Sequence, residues 1–144
     1  RPVKGYVSAS ALVSPGVLPY RPNRGLHLTL SRHDDPVGRA THRQYRWEDR
    51  TLLPALLDVA GVAGAWTFSF SHHQQHVLVP SAHDDDAPAS LRVRLLYLDD
   101  EPVATADRIR RRHGELAAAG DGDPAPGDIL LSTPLRTILP WVDW

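Results

Sequence analysis

The segment from Trp47 to Phe70 limits what this chain can fold into more than any other part of it. Trp47-Glu-Asp-Arg-Thr-Leu-Leu-Pro-Ala-Leu-Leu-Asp-Val-Ala-Gly-Val62 places Leu53, Leu56, Leu57 and Ala60 at intervals of three and four, the spacing of one buried helical stripe. Gly61 supplies the permissive backbone that ends a helix. Val62 to Phe70 then reads as a strand, with Trp66, Phe68 and Phe70 on one side. A helix feeding a strand through so tight a turn needs further strands beside it to complete a core.

Those strands can be read on either side. Gly25-Leu-His-Leu-Thr-Leu-Ser31 alternates, with Leu26, Leu28 and Leu30 on one face and His27, Thr29 and Ser31 on the other. The helix after His33-Asp-Asp-Pro-Val-Gly38 is expected to begin between Thr41 and Trp47 and to reach Val59, with Pro54 kinking or restarting it. Leu91 to Leu98 makes a third strand, with Leu91, Val93, Leu95 and Tyr97 opposite Arg92 and Arg94. Asp99-Asp-Glu-Pro102 opens a second helix that runs to about Ala119, its stripe being Val103, Ala106, Ile109, His113 and Leu116. Asp128 to Ser132 resumes a strand. Ser71 to Ser90 reads as a polar connection with room for a brief strand at Val77 to Val79.

The order is β-α-β-β-α-β. The expected class is therefore α+β, ferredoxin-like: a four-stranded antiparallel sheet with both helices on one face, spanning residues 24–144. Residues 1–23, with prolines at 2, 15, 19 and 22, read as an extended N-terminal arm holding at most a short strand at Ser8 to Val13. Leu12-Val-Ser-Pro15 and Val17-Leu-Pro-Tyr20 echo Leu131-Ser-Thr-Pro134 and Ile138-Leu-Pro-Trp141, which makes the arm a candidate tail of an upstream repeat. Apolar residues such as Trp66, Phe68 and Leu96 fall on or near the sheet face without helices. Pairing two such sheets would cover them, so a homodimer or a tandem partner is expected.

Composition narrows the function. Sixteen basic against seventeen acidic residues leave no field to draw nucleic acid or an anionic membrane. No apolar run approaches the ~18 residues of a membrane span, and the default expectation is a soluble, cytoplasmic protein. The absence of cysteine excludes thiolate ligands and thiol nucleophiles. No phosphate loop, dinucleotide fingerprint, nucleophile elbow or zinc-protease helix occurs, and no cofactor is expected.

Trp47, Asp49, Leu53, Pro54, Leu56, Leu57, Gly61 and Val62 match the helix and turn W-Y-D-E-x-H-L-P-x-L-L-x-x-P-G-V, so residues 25 to 144 resemble the EthD-like branch of the dimeric α/β-barrel superfamily. The ending Trp141-Val-Asp-Trp144 is similar to the tails of some actinobacterial members. The resemblance implies a dimeric α/β barrel that handles small molecules. The chain departs from the pattern at Leu52, where the family carries the histidine most often suspected of acting on substrate, and at Ala60, where the turn carries proline.

The remaining chemistry rests on a few side chains. His27, beside Thr29 and Ser31, is the candidate general acid or base, expected in a cavity between paired sheets. Arg92 and Arg94, which could hold an anion or pair with acids of a partner subunit, join Thr29, Ser31, Trp47 and Trp66 as candidate substrate-binding residues. His72, His76 and His83, near Asp84 to Asp86, have the residue types of a metal site. His113, on the apolar stripe, is expected to be a satisfied core residue. Two functions follow: a cofactor-independent enzyme of cyclase, decarboxylase, dehydratase or monooxygenase type acting on an apolar substrate, which could be anionic, or a non-catalytic barrel that binds a ligand or stabilises an assembly, having lost the family histidine at Leu52.

Overall fold

The computed structural model describes residues 2–9, 11, 13–35, 38–71, 90–122 and 127–138. They form strands β1 (Pro2–Val7), β2 (Gly25–His33), β3 (Val62–Ser71), β4 (Ser90–Leu98) and β5 (Asp128–Arg136), and helices α1 (Arg39–Trp47), α2 (Leu53–Leu57) and α3 (Pro102–Ala118). The sheet is antiparallel throughout, in the order β1-β3-β4-β2-β5. The class is α+β, and the part β3-β4-β2-β5 is compatible with a ferredoxin-like arrangement.

Among the described residues the sheet has five strands where the sequence led us to expect four. The addition is β1, which pairs with β3 along the edge. Its residues, Pro-Val-Lys-Gly-Tyr-Val, lie just before the short strand expected at Ser8 to Val13. After β1 the chain crosses to the face without helices, where a 3-10 turn, Pro15–Tyr20, seats Leu18 in full burial against Ala63 and Tyr97. Gly64 makes room for it: a Cβ there would lie 2.4 Å from Leu18 Cδ1 and 2.5 Å from the Tyr6 carbonyl oxygen. The described residues 2–9, 11 and 13–23 thus lie against the sheet through β1 and Leu18.

The helical connection from Arg39 to Leu57 is interrupted by a π-turn at Glu48–Leu52. Pro54 accounts for the break. It cannot donate to the carbonyl of Arg50 and its ring crowds that carbonyl, so the helix widens and the Leu53 N–H reaches the Glu48 carbonyl five residues back. The extra residue also changes what faces inward. Leu52, Leu53, Ala55 and Leu56 are buried, Leu57 is half-buried and Ala60 is exposed. Glu48 is carried into the interior with Leu52. Gly61 ends the connection at φ +92°, and the Asp99 N–H donates to its carbonyl.

At the start of α3, Glu101 accepts from the Ala104 N–H at 2.7 Å, and this bond holds its carboxyl below the usual range. The main core joins Leu52, Leu53 and Leu56 to Ala65, Leu96, Leu98, Ile109 and Leu116. The α3 stripe lies partly off the expected line: Pro102, Thr105, Ala106, Ile109 and Leu116 are buried, while Val103 and His113 are exposed.

Candidate functional site

The alternation along β2 holds, but its two faces serve the reverse of the expected purposes. His27, Thr29 and Ser31 look toward the helices, with His27 and Thr29 buried; Leu26, Leu28 and Leu30 are half-buried on the other face. A cavity of about 450 Å³ therefore lies between sheet and helices within one chain, not between paired sheets. The apolar contacts that the helices need come from β3 and β4, through Ala65, Leu96 and Leu98. This leaves the polar row of β2 to line a space.

Register places the polar groups together. Thr29 is opposite Arg94 and Ser31 opposite Arg92, all on the cavity face. Arg92 Nε donates to Glu48 Oε2 at 2.5 Å, Nη2 to Asp49 Oδ1 at 3.2 Å and Nη1 to Ser69 Oγ at 3.2 Å. Its guanidinium lies 4.3 Å from the Tyr45 ring centroid. Arg94 Nη1 donates to the other Glu48 oxygen at 2.9 Å and Nη2 to Thr29 Oγ1 at 3.3 Å. The Glu48, Arg92 and Arg94 side chains are 7%, 4% and 14% exposed. One buried carboxylate thus bridges two buried guanidinium groups. Burial and the nearby Asp49 carboxylate raise the pKa of Tyr6, on the neighbouring strand β1.

The arginines are paired with acids of their own chain. Arg94 retains an enclosed Nε–H without a partner, and the enclosed Nδ1 of His27, its diagonal neighbour on the sheet, is likewise unpaired. Burial, then the positive charges of Arg94 and Arg110, lower the His27 pKa to about 4. The imidazole is neutral at pH 7.

Around this end the wall carries Leu52, Leu56, Ala106 and Ile109 from the helices and Ile129 and Pro134 from β5, with Gln44, Arg110 and Ser132 beside them. Trp47 lines the same space. Its Nε1 donates to the Asp121 carbonyl at 2.9 Å and its ring meets His113 edge-on at 6.1 Å. His113 belongs to this lining and not to the core, because α3 turns it beyond the buried stripe.

No known family model, curated protein or solved structure matches this chain. Of the residues singled out in the sequence, the structure brings His27, Thr29, Ser31, Trp47, Arg92 and Arg94 to one cavity. Trp66 is not among them. It projects from the opposite sheet face, where its Nε1 donates to the Pro15 carbonyl at 2.9 Å and its ring stacks on Phe68 at 6.2 Å. Trp66 thus lies apart from this cavity, on the sheet face without helices, because β3 turns it toward the arm. His72, His76 and His83 lie outside the described residues, as does Val77 to Val79. Among the described residues, no group of three or more His, Asp or Glu is placed to hold a metal.

Glu48 is the residue that sequence reasoning missed. Its signal was an acid next to a buried helical stripe, in a chain whose third strand turns two arginines to one face. The π-turn that carries it inward has no counterpart in ordinary helical periodicity.

Proposed function

We propose that this chain binds a small, largely apolar molecule between sheet and helices, with one polar group of the ligand directed to the His27 and Arg94 end. The observation that carries this reading is the cavity itself: about 450 Å³, within the range of small-molecule sites, apolar along most of its wall and polar at one end. Because Glu48 and Asp49 already balance Arg92 and Arg94, the site does not demand a net negative charge. A carbonyl, hydroxyl or carboxylate oxygen meets the same requirement for an acceptor. Kinship with the EthD-like branch belongs to this reading and is supported by the strand order and the position of Leu52 in the cavity wall.

The test is a thermal-shift and fluorescence panel of aromatic and aliphatic carboxylates, phenols and their neutral counterparts. A ligand at one hundred times its Kd should stabilise the native state by about 2.7 kcal/mol. Ala106→Leu, which extends a wall side chain into the cavity, should abolish that shift. A panel without any shift, or a shift untouched by Ala106→Leu, would overturn the reading.

A catalytic version rests on His27. As a neutral, buried imidazole it can accept a proton from a bound acid, while Arg94 stabilises the oxyanion that forms. This is cofactor-free chemistry of the kind used in cyclisation, decarboxylation or dehydration. For any ligand found to turn over, His27→Gln should lower kcat with little change in binding; unchanged kcat would leave the binding role alone.

A further inference from the structure

The cavity has an inner end and a mouth. His27 and Thr29, at the inner end, are buried, whereas Arg110, His113, Ile129 and Ser132 line the same space and are exposed. Helical spacing explains the change along α3. Ala106, Ile109, Arg110 and His113 stand three and four residues apart and so form one stripe facing the cavity. The first two are buried, and the last two reach the border with solvent.

Charge is distributed unevenly between these ends. Arg92 and Arg94 are held out of water by Glu48 and Asp49. Among the described residues, Arg110 is the third guanidinium of the lining, and its carboxylate is Asp107, three residues back on the same helix. The Arg110 and Asp107 side chains are 77% and 57% exposed, so water screens the pair and it holds Arg110 by under about 1 kcal/mol. The Arg110 charge nevertheless acts inside the cavity, being one of the causes that lower the His27 pKa. The other arginines of α3 do not line the cavity; Arg108 and Arg112 bind Asp100 and Glu115 instead.

We propose that the ligand is a monocarboxylic acid whose carboxylate sits at the mouth on Arg110, its apolar body and an acceptor oxygen running inward to His27 and Arg94. This deepens the binding reading above and rests on it. A guanidinium meets a carboxylate through two parallel N–H donors, a stronger contact than the screened pair with Asp107 that it replaces. One cation at the mouth suits one negative charge. A phosphate monoester, at about −1.5 to −2 near neutral pH, would leave charge without a partner. Because the inner end is already balanced, the oxygen that enters it is a carbonyl or hydroxyl, and the ligand is an oxo or hydroxy acid.

Benzoylpropionate, benzoylbutyrate and benzoylvalerate, each a ketone with a carboxylate, are suitable probes beside their primary amides, with Kd measured by titration calorimetry. The native chain should bind at least one acid roughly tenfold or more tightly than its amide, and the gap should narrow as salt screens the exposed arginine. Arg110→Gln should weaken the acid tenfold or more and leave the amide within about twofold, the amide reporting that the cavity is intact. Arg111→Gln, which removes the same charge from the neighbouring position outside the cavity, should leave both unchanged. Acids that bind no better than amides, an Arg110→Gln loss shared by both, or an equal loss in Arg111→Gln would each overturn the proposal while the cavity still binds. Absence of binding by acids and amides alike would overturn the binding reading, and this proposal with it.

Discussion

Removing the Glu48 carboxylate should be among the most damaging single changes in the protein. In Glu48→Ala, Arg92 keeps Asp49, Ser69 and the Tyr45 ring, whereas Arg94 keeps only a 3.3 Å bond to Thr29. A guanidinium whose side chain is 14% exposed is then left without a carboxylate. Breaking a buried pair in this way costs about 3–5 kcal/mol, a large share of a typical stability of roughly 5–15 kcal/mol. At this chain length that corresponds to a fall of roughly 10–15 °C in Tm. Urea unfolding followed by tryptophan fluorescence, with calorimetry alongside, would measure it. Arg112→Ala, which removes an exposed pair with Glu115 away from the cavity, provides the contrast and should cost under about 0.5 kcal/mol. A double-mutant cycle separates the interaction from side effects: adding Arg94→Met to Glu48→Ala removes the stranded charge, and the coupling should exceed about 1.5 kcal/mol. A loss below about 1 kcal/mol for Glu48→Ala, or strict additivity in the cycle, would refute the claim that Glu48 holds the arginines in place.

Three further outcomes follow from the same packing. The unfolded chain protonates His27 near pH 6.5 and the native chain near pH 4, so its stabilisation is whole above pH 6.5 and is lost as pH falls toward 4, by at most about tenfold in the folding equilibrium per pH unit; His27→Gln should flatten that part of the stability profile, and an unchanged profile would contradict it. Leu18→Ala should cost about 2–5 kcal/mol and shift Trp66 emission to the red as the Pro15 contact loosens, which equilibrium unfolding and emission spectra would record. Gly61→Ala forces a side chain into φ +92° and to within 2.8 Å of Asp100 Cβ, so it should destabilise by more than about 1 kcal/mol in the same unfolding assay.

The fold was largely legible because its signals are local. Alternation in Gly25–Ser31 and Leu91–Leu98, the stop at Gly61 and the acid-proline start of α3 each act within a few residues, and each lies where the chain would place it. β1 was not legible. Its pairing with β3 joins residues about sixty positions apart, and nothing within Pro2–Val7 signals a partner at that distance. The exposure of Val103 and His113 has a similar cause: a stripe spaced correctly for a helix does not say how far its neighbours extend across it.

The site was legible as a set of residues and misread as a place. Alternation separates His27, Thr29 and Ser31 from the leucines, but period two is indifferent to which face the helices cover. The usual preference, leucines inward, fails here because two other terms outweigh it. β3 and β4 already give the helices Ala65, Leu96 and Leu98, and the π-turn forced by Pro54 delivers a carboxylate that can satisfy Arg92 and Arg94 out of water. Without Glu48 the polar face could not have been buried, since two guanidinium groups would have lacked their bridging partner. The helix break and the polar cavity are therefore one feature. The same segment that identified the fold also decides which face of the sheet can carry a binding site, through the acid it turns inward.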